Sequence, residues 1–189
     1  MGKKLLSAYE ALYPVPVVLV SCVSENGKPN IITIAWTGVV CSSPPCVSIS
    51  IRPSRYSFEL INQTKEFVIN VPDEKHLMET DYCGIVSGKS IDKFKQAKFT
   101  AVPAAKVKPP LIKECPVNIE CKVKNTLDLG AHHMFIAEVV AVHADEGILN
   151  SFGQIDYSKT KPITYNQGEY WSINSRIGEF GFSRKLGKI

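Results

Sequence analysis

Between residues 117 and 127 the chain alternates, with Val117, Ile119, Cys121 and Val123 set against Asn118, Glu120, Lys122 and Lys124. A period of two puts the first set on one face of a strand and the second on the other. Gly130 turns the chain, and residues 134–142 return as an apolar strand. The same pattern recurs upstream. Residues 15–24 are β-branched and apolar and read as a buried strand, Asn26-Gly27 favours a tight type I′ hairpin turn, and residues 30–36 run back. Ser43-Pro44-Pro45 punctuates before a further strand at 46–51, and another covers 67–71, ended by Pro72. Helical spacing is confined to residues 57–64, with Phe58 and Ile61 on one face, and to two short pieces at 74–78 and 91–94 around residues 83–88. Strands joined by hairpins, without a regular strand–helix alternation, predict a mainly β antiparallel barrel with a few short helices. A doubly wound dinucleotide fold is disfavoured. The tail after Asn150, rich in Gly, Tyr and Ser, is expected to wrap the surface or a partner subunit.

The 189 residues predict one domain spanning the chain, large enough for a real core. The N-terminus starts like a signal peptide but meets Tyr9, Glu10 and Pro14 before an apolar region develops. No apolar run approaches the roughly 20 residues that cross a bilayer, so a cytoplasmic protein without a membrane partner is expected. The six cysteines, at 22, 41, 46, 83, 115 and 121, form no Cys-x-x-Cys pair and fit no zinc or iron–sulfur spacing. Reduced thiols, several of them buried, are expected. The net charge of +4 comes from lysines spread along the chain, which gives no nucleic-acid footprint but suits an anionic small ligand.

Two stretches suggest what that ligand is. At 46–58 a strand runs into Arg52, Ser54, Arg55 and Ser57 ahead of the helical segment. Arginine forks and a helix N-terminus both suit a phosphate, with Ser54 and Ser57 as candidate helix caps. Taken alone, the segment also reads as a solvated loop with a serine cap. Residues 30–38 place small and hydroxyl residues around Trp36, so a flat ring can approach main-chain polar groups there, although a core strand ending in a buried Trp has the same pattern. Residues 84–90 imitate a phosphate loop, but one residue too few separates Gly84 from Gly88, so an ATP or GTP site is rejected. His132 and His133 are neighbours on a predicted strand and point to opposite faces, so no metal site is expected. No catalytic triad, Cys–His pair or carboxylate pair is recognisable, as suits a protein whose chemistry resides in a bound cofactor.

In this order, several segments resemble the flavin reductase-like family of FMN-binding split barrels, and within it the flavoredoxin branch. They are residues 27–36, 44–52, 55–57, 67–70, 83–88 with 92–94, 130–139 and 178–183. The resemblance implies a six-stranded antiparallel Greek-key split barrel that forms a homodimer and binds FMN in or near the dimer interface. It implies that Thr33, Ile34, Ala35 and Trp36 line the isoalloxazine, and that Ser50, Ile51 and Arg52 flank the ring or ribityl chain. Arg55, Tyr56 and Ser57 would hold the phosphate. Ser87, Gly88, Lys93 and Phe94 would close the site, from either subunit, and His132 matches a histidine near the flavin edge. Ala131 stands where the family often has an acidic or small polar residue. Three functions follow as expectations. The first is an electron-carrying flavoprotein served by a redox partner protein or NAD(P)H. The second is an NAD(P)H:flavin oxidoreductase, and the third a flavin-free binding module.

Overall fold

The computed structural model describes residues 2–185. In chain order the elements are β1 (Val15–Pro16), β2 (Val18–Val23), β3 (Pro29–Ile34), β4 (Thr37–Ser42), β5 (Pro45–Ile51), α1 (Tyr56–Thr64) and β6 (Glu66–Val71). Then come α2 (Leu77–Ile85), α3 (Lys93–Gln96), β7 (Ala101–Val102), β8 (Leu111–Ile112), β9 (Val117–Asp128) and β10 (His133–Ala144). The tail adds β11 (Ile163–Asn166), β12 (Glu169–Ser172) and α4 (Phe182–Lys185).

Seven strands form one antiparallel sheet in the order β3-β2-β6-β9-β10-β5-β4. β3 and β4 are consecutive in the chain yet lie at opposite edges of this ladder. Only Ala35 and Trp36 separate the two strands, so the sheet curls until its edges approach, and the bond from the Ser50 N–H to the Trp36 carbonyl at 2.8 Å extends the β4–β5 pairing one step before Thr37. This is the expected mainly β split barrel. Its sheet gains a seventh strand from β4, which the sequence pattern does not announce. Val39 and Val40 of β4 are exposed, so no buried face imposes a period of two on that segment.

Val18, Val20, Cys22, Ile49, Ile51, Phe67 and Phe135 pack inside the barrel with Leu60 and Ile61 of α1. On α1, Ser57, Leu60 and Ile61 make the buried face, and Lys65 ends the helix in the left-handed conformation (φ 58°). The opposite face of β2 and β3 is covered by a second cluster: Leu19, Ile31, Cys83, Phe94, Ala97, Phe99, Ile112 and Cys115. β2 is thus buried on both sides, which is why it is apolar without alternation.

One local expectation is corrected. The loop after β2 is not a type I′ turn, because Gly27 has positive φ (78°) but Asn26 does not. Gly27 N donates to Ser24 O and Ser24 N to Lys28 O, which gives an ordinary turn closed by a left-handed glycine. The type I′ signature falls instead in the tail, where Gln167 (φ 47°) and Gly168 (φ 94°) join β11 to β12. On β9, the polar face is buried at Asn118 and Glu120. The Glu120 carboxylate accepts N–H bonds from Ala105 (2.8 Å), Lys106 (2.6 Å) and Val107 (3.1 Å) and lies 2.5 Å from His143 Nε2. A buried acid here fixes the 103–110 loop onto the barrel.

The tail does lie against the surface. β11 pairs with β1 on one side and β12 on the other, making a separate three-stranded sheet beside the barrel seam.

Candidate functional site

The barrel seam opens into a cavity of about 460 Å³, within the size range of small-molecule sites. The end of β3 and the residues after it supply Thr33, Ile34, Ala35 and Trp36, and β5 with its following residue supplies Ser50, Ile51 and Arg52. Because β3 is an edge strand, alternate N–H and C=O groups along it face away from the ladder. Asp81, Gly84 and Ile85 of α2 form one wall, and His132, Tyr165 and Tyr170 add an aromatic rim. The Trp36 and His132 rings are parallel within 5°, with centroids 6.1 Å apart. Trp36 is 41% exposed, so it is not the buried core residue its strand pattern also allowed.

A second cavity of about 90 Å³ adjoins the first and shares Ile32, Arg55 and Gly84 with it. Its other walls are Asn30, Ser54, Tyr56, Ser57, Val86, Ser87, Gly88 and Lys93. Two cations line it and no carboxylate does. The N-cap of α1 is Arg55, with no side-chain cap hydrogen bond. Ser54 and Ser57 therefore do not cap the helix as expected; Ser57 Oγ is buried and accepts from Asn30 Nδ2 at 2.8 Å. The first N–H groups of α1 stay free to meet an anion.

Lys93 is almost wholly buried. Its Nζ donates to the carbonyls of Ile31 and Cys83, both at 2.7 Å, which leaves the third ammonium proton beside the small cavity. Burial pushes its pKa below the ordinary lysine value, and the Arg55 charge adds to that, against an opposing effect from Cys83 and Cys22. An anion in this cavity relieves both. Gly88 is required by close approach, because a Cβ there would lie 1.9 Å from Asn30 Oδ1.

At the ring end, Arg52 Nε donates to His132 Nε2 at 3.4 Å. Burial, and then the Arg52 charge, push His132 below the ordinary histidine value, so the ring is held neutral with its proton on Nδ1. His133 points elsewhere, edge-on to Phe58 with centroids 5.0 Å apart. Tyr170 donates to Asp81 Oδ1 at 2.9 Å and ties the β11–β12 hairpin to α2 over the mouth. Burial and Asp81 push its phenol pKa upward.

Of the expected site residues, all but one line the two cavities. Phe94 does not; it packs in the second apolar cluster with Leu19 and Ile31, because α3 turns that side of the chain inward. Ser87, Gly88 and Lys93 line the same small cavity as Arg55 within one chain. Sequence reasoning missed Asn30, Asp81, Gly84, Tyr165 and Tyr170. Gly84 falls in α2, where a Cβ would sit 3.2 Å from Thr33 Cβ. The two tyrosines lie more than 110 residues beyond β5 in sequence, and only the tail's docking brings them to the seam.

Residues 10–174 match the family model described as Flavin reductase like domain, and the chain belongs to the flavin reductase-like family. Within that family it falls in the flavoredoxin branch. The flavoredoxin of Desulfovibrio vulgaris (Miyazaki F) superposes with a TM-score of 0.90 at 32% identity, over 95% of this chain and 98% of that one. The flavoredoxin from Methanosarcina acetivorans gives 0.89 at 29% identity, over 98% and 100%. An uncharacterized protein of Archaeoglobus fulgidus is 33% identical over 175 residues, covering 93% of this chain and 97% of its own length. These likenesses support a flavin-related function. No helix among the described residues is long and apolar enough to cross a membrane.

Proposed function

We propose that this chain is an FMN-binding flavoprotein of the flavoredoxin type, which carries electrons on its bound flavin. One observation carries the reading: an aromatic-rimmed slot beside open main-chain groups is continuous with a small cationic cavity that no carboxylate lines. That is the shape and charge of a planar heterocycle with a phosphate tail, so the residues present fit FMN. Arg55, Ser54, Ser87 and the first N–H groups of α1 hold the phosphate, while Lys93 adds charge from below. The main chain of residues 33–36 and 50–52 hydrogen-bonds the polar edge of the ring. Trp36 and His132 pack as aromatic surfaces, and the Tyr170–Asp81 bond keeps the tail hairpin over the slot, which limits water entry.

When bound, FMN supplies the reversible electron transfer, and the protein's contribution is binding, orientation and electrostatics. Neutral His132, with Arg52 donating to its Nε2, keeps positive charge at the ring end on the guanidinium. Electrons arrive from a redox partner protein or from NAD(P)H. The chain works as a cytoplasmic homodimer. The fully or nearly fully exposed apolar side chains of both termini, Leu5, Leu12, Ile177 and Phe180, support a partner subunit.

The test is a titration of the purified protein with FMN, followed by quenching of flavin fluorescence. Saturation at micromolar FMN is expected, and its absence would remove the proposal. Steady-state oxidation of NADH and NADPH with free FMN then separates an electron carrier, which shows no turnover above background, from an NAD(P)H:flavin oxidoreductase.

A further inference from the structure

Away from the cavity, the β4–β5 hairpin brings two cysteines opposite each other. Cys41 and Cys46 are register partners across this ladder, one step from the turn, where Ser42 pairs with Pro45. Both thiols are free. Directly opposed residues of an antiparallel pair have Cα atoms about 4.5 or 5.5 Å apart, and both spacings fall within the roughly 4.4–6.8 Å that a disulfide accepts. Opposed side chains also leave the sheet on the same face. A register shift between Val39 and Cys41 loosens the ladder just before the pair.

The two thiols differ in access. Cys41 is exposed, and its Sγ donates to Ser43 O at 3.5 Å, which turns it toward the hairpin loop. Cys46 is 9% exposed, reachable by a neighbouring sulfur but poorly by a reagent in solution. The other four cysteines are buried in the two cores. Burial pushes Cys22 and Cys121 up to about 12 and Cys83 to about 11, and raises Cys115 as well. At neutral pH those four stay protonated and inert.

We propose that Cys41 and Cys46 form a reversible thiol–disulfide site whose reactant is a low-molecular-weight disulfide, with Cys41 the attacking and Cys46 the resolving thiol. The Cys41 thiolate attacks one sulfur of a disulfide R–S–S–R, forming a Cys41–S–R mixed disulfide and expelling one R–S⁻, which takes up the proton Cys41 lost. Cys46 then attacks the Cys41 sulfur, closing the Cys41–Cys46 bond and releasing the second R–SH. The protein pair is oxidised by two electrons and R–S–S–R is reduced to two thiols. The crosslink ties β4 to β5 beside their turn, on the edge strand that follows Trp36. The site needs no flavin, so it stands or falls apart from the proposed cofactor.

The experiment incubates the reduced full-length protein with oxidised glutathione, blocks remaining thiols by alkylation, and measures intact mass and non-reduced peptide maps. The wild-type chain is expected to become two hydrogens lighter, to retain no glutathione and to yield a Cys41–Cys46 crosslinked peptide. Cys46→Ser, which removes the resolving thiol, is expected to stop with one glutathione on Cys41, and Cys41→Ser to stay unmodified. Wild-type protein that accumulates the same mixed disulfide as Cys46→Ser would overturn the proposal, as would chains joined mainly through Cys41 to Cys41.

Discussion

At the scale of single residues, Arg55 and Gly88 carry the sharpest expectations. Arg55 stands at the N-cap of α1 and lines both cavities, so Arg55→Ala removes a charged donor without opening the core. Losing one charge-assisted bond to phosphate costs about 1.5–3 kcal/mol, roughly ten- to a hundredfold in FMN affinity. A flavin titration of the variant checks this, with an unchanged thermal midpoint showing that the fold is intact; equal affinity would mean the phosphate binds elsewhere. Gly88→Ala acts through a neighbour. The added methyl would meet Asn30 Oδ1 at 1.9 Å, displacing the amide that donates to Ser57. A loss of about 1–3 kcal/mol of stability is expected from such overpacking, with FMN affinity falling alongside it, and urea denaturation measures the first. The arginines and serines of this pocket were legible in sequence because theirs are the side-chain types that a phosphate site would use. Asn30 was not, because its role is to position Ser57 from a strand 27 residues away.

At the scale of elements, Glu120 links β9 to the loop at 103–110 and to His143 of β10. Burial by itself raises a carboxyl pKa, but the N–H bonds from Ala105 and Lys106 and the contact with His143 outweigh it and hold Glu120 below its usual value of 4.5. A folded-state pKa below the unfolded one gives stability that is present above pH 4.5 and lost as pH falls through the folded value. Glu120→Gln replaces one acceptor oxygen with an NH₂ donor that faces backbone N–H groups. It should cost about 1–3 kcal/mol at pH 7, and the gap from wild type should narrow in acid. Urea midpoints at both pH values test this; a gap that stays constant with pH would show that the charge of Glu120 contributes nothing. The alternation along β9 marks a strand with two distinct faces, but it does not show that Asn118 and Glu120 are buried. Period two tells which residues share a face, and not what covers it. The same limit applies to β2, whose second buried face exists only because α2, α3 and the loop beyond them fold over it.

At the scale of the whole molecule, the sheet closes on itself, while the N-terminal arm from residue 2 to residue 12 is exposed and the tail exposes the apolar side chains of Ile173, Ile177 and Phe180. Sedimentation of the full chain at micromolar concentration should give twice the single-chain mass, and a monomer there would remove the homodimer from the proposed function. The tail before Ser172 has a different role. The β11–β12 hairpin docks through β1 and delivers Tyr165 and Tyr170 to the mouth of the slot.

Strand content, the antiparallel class and the residue types that line the two cavities follow from local sequence patterns. Period-two patterning, turn residues and phosphate-binding side chains are local properties that short segments express directly. Which faces are covered, the place of β4 as the seventh strand of the sheet, the role of Phe94 in the core and the tail's position over the slot emerge only in the folded chain. Each of these depends on contacts between segments far apart in the chain, and no local pattern encodes which distant surface will exclude water from a given side chain.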